Sequence, residues 1–118
     1  MDENAWLQRA RKRLRSAEIL IADSAVDDSA FMAHQAVEMA FKAVIAHRSG
    51  EMPPRIHELK ILAGRVSYPN ANEVVLLDPV YTGSRYPDAP VVEINLSRAQ
   101  RLLKIATMVV QWSESQTK

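Results

Sequence analysis

The segment from Ala30 to Arg48 constrains the fold more than any other part of this chain, because its apolar side chains run most of the way round a helix. At about 100° per residue, Ala33, Ala36, Val37, Ala40 and Val44 cover one side, and Phe41 and Ile45 flank the rest. A helix apolar over so much of its circumference needs neighbours on most sides. Yet Gln35, Glu38 and Lys42 fall within about 60° of one another on it, with His34 at the border. Two readings fit this strip. One is a solvent-facing seam, in which a Glu38–Lys42 pair one turn apart adds a few tenths of a kcal/mol. The other is the lining of a cleft or dimer seam, where removal from water makes the pair matter more. Periodicity alone does not choose between them.

The rest of the chain supplies the neighbours. Trp6, Ala10, Leu14, Ala17 and Ile21 form one stripe of a first helix, which Asp2 or Asn4 can cap and which stops near Asp23-Ser24. Asp27-Asp28-Ser29 offer caps for the second helix, and so short a connection makes the two helices antiparallel neighbours. Ser49-Gly50 closes the second helix and Pro53-Pro54 prevents its resumption. Ile56, Leu59, Leu62 and Ala63 predict a short helix opened by His57 and ending near Gly64. A turn at Tyr68-Pro69-Asn70 leads to a helix over 71–77. Asp78-Pro79 restarts or kinks the chain, and Gly83 to Pro90 reads as a loop. The last helix, capped by Asn95 or Ser97, gathers Leu102, Leu103, Ala106, Val109 and Val110 on one face. Val91 to Ile94 is the one strand candidate, too short to form a sheet alone. The expected fold is all-α: a compact four- to five-helix up-and-down bundle, with residues 1–118 forming a single domain.

Several function classes are excluded by what the chain lacks. With no cysteine it has no disulfide, thiolate nucleophile or Cys-ligated zinc. Its 3 glycines cannot spell either phosphate-cradling loop, G-x-G-x-x-G or G-x-x-x-x-G-K-[ST]. A net charge of +1 leaves no overall electrostatic footprint for nucleic acid. The acidic start is unlike a signal peptide, and no apolar run approaches a membrane span; the expectation is a cytoplasmic protein without membrane attachment.

His34, His47 and His57 stand at spacings that match no metal site, so neither a metal nor another cofactor is expected. Among them His57 has the best functional case, since it follows a proline-stiffened turn that can fix its ring. The run Arg9, Arg11, Lys12, Arg13, Arg15 looks like a nucleic-acid patch when read linearly. Wound into a helix, those charges spread over the solvated face. Arg85-Tyr86-Pro87-Asp88 is the most distinctive tetrapeptide: a donor fork suited to phosphate or carboxylate, an aromatic ring, and a proline that holds Tyr86 extended. Tyr81 lies four residues earlier.

Taken together, "HQAVEMAFKAVI", "RIHELKIL" and "LLDPVYTGSRYPD" before a final amphipathic helix resemble the HEPN domain family (higher eukaryote and prokaryote nucleotide-binding) along nearly the whole chain. The resemblance implies a helical bundle, commonly homodimeric, often encoded beside a minimal nucleotidyltransferase as a toxin–antitoxin pair. It marks Gln35, Glu38, Lys42, His57, Tyr81, Arg85, Tyr86, Pro87 and Asp88 as site residues that bind a nucleotide, RNA or the partner nucleotidyltransferase. Many relatives are metal-independent ribonucleases with an Arg followed four to six residues later by a His. That spacing is absent here: no His follows Asp88, Arg48 is too far from His57 and Arg55 too near. A binding module is therefore the first expectation. The alternative is a metal-independent endoribonuclease toxin using Arg85 and His57.

Overall fold

The computed structural model describes residues 3–85, 87–88 and 93–118. Two long helices come first: α1, Glu3–Ala22, and α2, Val26–Ser49. The turn between them carries Ser24 at a positive φ of 63°. α2 starts four residues before the expected Ala30, so Asp27, Asp28 and Ser29 lie inside its first turn and are not its caps; Ala25 precedes the helix without a side-chain cap. The two carboxylates instead face the positive end of the helix dipole. Ser29 is fully buried and donates its hydroxyl to the Ala17 carbonyl at 2.7 Å, which pins α2 to α1. Asn4 likewise falls within α1 and is no cap, and Asp2 lies outside the described residues.

α2 is the central element, packing against α1, α6 (Leu96–Gln116), α3 (Leu59–Val66) and α5 (Asp78–Arg85). Its alanines Ala33, Ala36 and Ala40 are wholly buried, and side chains this small let neighbouring helices approach closely. Phe41 is the largest fully buried side chain among the described residues, with Tyr68 at 5.4 Å and Trp112 edge-on at 6.3 Å between ring centroids. Gly50 ends α2 as expected: at φ 71° its N–H reaches back to the Ala46 carbonyl.

α3 begins later than its apolar pattern suggested. The carboxylate of Asp78 accepts hydrogen bonds from the backbone N–H groups of Leu59 at 2.7 Å and Lys60 at 3.2 Å. The helix thus starts where those donors are satisfied, and His57 stands in the connection ahead of it rather than at its opening. The helix also runs past Gly64 to Val66, where Ser67 at φ 58° takes the left-handed closing position. A single turn, α4 (Ala71–Val74), and a 3-10 turn over Val75–Leu77 lead directly into α5.

Asp78-Pro79 therefore restarts the chain as a helix, with proline in the first turn where its missing N–H costs nothing. The expected loop from Gly83 needs correction, because Gly83, Ser84 and Arg85 belong to α5. Once started, the helix continues until the approach of Pro87, which cannot extend it. Tyr86, Ala89, Pro90, Val91 and Val92 lie outside the described residues. Glu93 and Ile94 take no regular structure, and Asn95 caps α6 by accepting from the Arg98 N–H at 2.8 Å. The described residues contain no strand, and the fold is an all-α helical bundle. Among the described residues no helix is long and apolar enough to cross a membrane.

Candidate functional site

The Glu38 and Lys42 part of the α2 polar strip is turned away from water. The side chains of Glu38 and Lys42 are only 2% and 6% exposed, which removes the solvent-facing reading. Lys42 Nζ lies 2.9 Å from Glu38 Oε2, and the same oxygen lies 3.0 Å from His57 Nδ1. The second carboxylate oxygen is 3.1 Å from that nitrogen. A buried charge of this kind persists only when it is paired and hydrogen-bonded. Glu38 meets that condition with a cation from its own helix and an imidazole from the segment before α3. Helix geometry places Lys42 one turn above Glu38, and the proline-bounded segment Pro53–Ile56 brings His57 across.

His57 itself is half exposed, at 51% of its side chain. With Nδ1 held by a carboxylate, the ring is oriented and Nε2 is the nitrogen left to meet a ligand. Tyr81 of α5 stacks on His57, with centroids 5.1 Å apart and planes 15° apart. It also stacks on His34 at 5.1 Å and on Phe31 at 6.2 Å. His34 is completely buried. Burial pushes its pKa down from 6.5 to about 4, against the opposing pull of Glu38 and then Asp78. Gln35 offers its amide to His34 Nδ1 at 3.4 Å. His34 Nε2 stands 3.8 Å from Asp78 Oδ1 and has no hydrogen-bond partner among the described residues. The result is an aromatic and carboxylate assembly joining α2, α5 and the segment before α3.

Two grooves flank this assembly. One, open and of about 790 Å³, is lined by Arg55, His57, Lys60, Ile61, Asp78 and Tyr81. The other, of about 400 Å³, lies along Trp6, Arg9, Lys42 and the Met52–Arg55 segment. Arg55 lines both. Of the residues marked in the sequence, Glu38, Lys42 and His57 are in direct contact, Tyr81 stacks on His57, and half-buried Gln35 touches the cluster through His34. Lys42 and Tyr81 line different grooves. Arg85 ends α5 one helical turn after Tyr81, Tyr86 lies outside the described residues, and Asp88 is exposed.

Sequence reasoning misses Asp78, whose local pattern suggests only a cap or kink for its own helix. Its capping of α3, 19 residues earlier, leaves no local trace. It also misses Lys60, for which the i+3 spacing from His57 is the available signal. Among the described residues no group of three or more His, Asp or Glu side chains could hold a metal ion.

The chain matches the HEPN domain family over residues 4–116. It resembles the crystal structure of ST0689, an archaeal HEPN homologue, with a TM-score of 0.82 and 23% identity, covering 100% of this chain and 99% of that one. It also resembles the crystal structure of TT1696 from Thermus thermophilus, with a TM-score of 0.84 and 25% identity, covering 98% and 99% of the two chains. No curated protein matches. The first likeness is one of fold, while the match along 4–116 is one of sequence, and on that match the chain belongs to the HEPN domain family.

Proposed function

We propose that this chain is a HEPN binding module, a component of a toxin–antitoxin pair, that captures a nucleotide or an RNA end in the groove walled by His57 and Tyr81. The observation that carries this reading is the half-exposed His57 ring, held at Nδ1 by buried Glu38 and braced on Tyr81. Such a ring offers a ligand one fixed nitrogen without first having to be ordered. Arg55 and Lys60 line the same groove, beside the carboxylates of Glu58 and Asp78, and supply donors for phosphate. Arg85, a turn beyond Tyr81, adds a guanidinium, and Tyr86 and Asp88 are further ligand contacts in this reading. Gln35 and Lys42 act from behind, through His34 and Glu38. The protein partners in this reading are a second copy of the chain and a minimal nucleotidyltransferase.

Isothermal titration with AMP, ATP and a short single-stranded RNA tests it. His57→Ala and Tyr81→Ala are each expected to weaken binding about tenfold or more, the loss that goes with a hydrogen bond to a charged group or a stacked ring. Absence of binding by all three ligands, or binding unchanged in His57→Ala, would sink the proposal.

The Glu38–His57 pair also favours a second reading, a metal-independent endoribonuclease. There Nε2 of His57 takes the proton from a ribose 2′-OH as that oxygen attacks the neighbouring phosphorus, closing a 2′,3′-cyclic phosphate while the bond to the 5′-oxygen breaks and that oxygen takes a proton from water. Arg85 would meet the charge that develops on phosphate. This reading requires RNA cleavage in the presence of EDTA that is lost in both His57→Ala and Arg85→Ala.

A further inference from the structure

The groove on the α1 side of the Pro53–Ile56 segment is chemically unlike the one at His57. Its cations are Arg9, Arg55 and Lys42, and among the described residues no carboxylate lines it. Lys42 is already matched by Glu38. Arg9 and Arg55 are exposed, and neither forms an ion pair among the described residues. Two positive charges there are thus unmatched by any described carboxylate. The remaining wall is apolar: the Trp6 ring, Pro53 and Pro54, with Met52 67% exposed beside them. Trp6 also receives the Lys42 ammonium at 5.9 Å from a ring centroid, and its Nε1–H is buried without an acceptor among the described residues. The volume, about 400 Å³, lies within the range of small-molecule sites.

We infer that this groove is a second ligand site, for a small organic anion that sets an apolar or aromatic body against Trp6 and the prolines and its phosphate or carboxylate between Arg9 and Arg55. Guanidinium forks suit either oxyanion, and the tryptophan face suits a flat ring. Lys42 contributes positive potential without leaving Glu38, since an ammonium has three donors and Glu38 occupies one. The inference is independent of the His57 groove: it concerns different side chains, with only Arg55 in common, and either site can exist without the other.

The test uses phenyl phosphate and benzoate as probes and benzyl alcohol as the uncharged control, with binding followed by calorimetry and by the NMR signal of the Trp6 indole N–H. Both anions are expected to bind and to shift that signal, while benzyl alcohol does not. Arg9→Gln is expected to weaken them about tenfold or more. Tighter binding of phenyl phosphate assigns organic phosphates as the class, and tighter binding of benzoate assigns carboxylates. Failure of both anions to bind overturns the inference. So does equal binding of benzyl alcohol, or an Arg9→Gln variant that binds as well as the parent. A nucleotide titration that fails while these probes bind would count against the His57 groove alone.

Discussion

Two ion pairs in this molecule have nearly the same geometry and opposite settings. Arg11 and Glu114 tie α1 to α6 at 2.7 Å with side chains 51% and 38% exposed. Lys42 and Glu38 meet at 2.9 Å within α2, almost wholly out of water. The first is screened by solvent and salt, and pairs of that kind contribute between nothing and about 1 kcal/mol. The second stabilises little as a pair, because both charges had to be desolvated, but it makes loss of either partner severe. The contrast shows that distance says little about an ion pair until its surroundings are known.

The largest effect should come from Glu38→Gln, which leaves the Lys42 charge buried without a counter-ion and frees His57. A loss of about 3–5 kcal/mol is expected in urea unfolding. The double variant Glu38→Met with Lys42→Met should recover most of that loss, since an apolar pair of similar size needs no desolvation. If the single change costs no more than Arg11→Ala, the contrast between buried and exposed pairs fails.

Next comes acid sensitivity centred on His34. Its folded pKa of about 4 lies below the unfolded 6.5, so between those values the unfolded chain takes up a proton that the folded one refuses. This group's contribution is therefore complete above pH 6.5, falls as the pH drops toward 4, and levels off below. The total is about 3 kcal/mol. Unfolding free energies of the parent and of His34→Gln across that window should differ by this slope, and parallel curves would show that His34 is not the group responsible.

A smaller loss, about 1–2 kcal/mol, is expected for Asp78→Ala, which removes the acceptor for two backbone donors at the start of α3. Faster hydrogen exchange at Leu59 and Lys60 would accompany it. Arg11→Ala should be the mildest, within about 0.5 kcal/mol, and its effect should vanish in about 1 M salt.

Much of the fold was legible because long helices advertise themselves. The stripes of α1 and α6 and the Ser49-Gly50 stop rest on local periodicity and backbone chemistry, and each stands within a few residues of its expected place. The boundaries that moved were decided by distant partners. α2 begins early because Ser29 finds a carbonyl on α1, and α3 begins late because Asp78 supplies its cap. At the site, the spacing of Glu38 and Lys42 revealed their pairing but not their burial, which depends on how closely α1 and the proline segment cover them. The meeting of His57 with Glu38 joins residues 19 positions apart, and no helical period connects those two segments.

The carboxylate of Asp78 belongs to the first residue of α5 and is also the clasp on the opening turn of α3. Those two short helices thereby share one side chain as a link. That carboxylate therefore ties the position of the α3 start, and of the strap ahead of it that presents His57, to the start of α5. Substituting a longer acid at that one position, Asp78→Glu, would lengthen the linkage by a methylene and retune the spacing between Tyr81 and His57 without altering either.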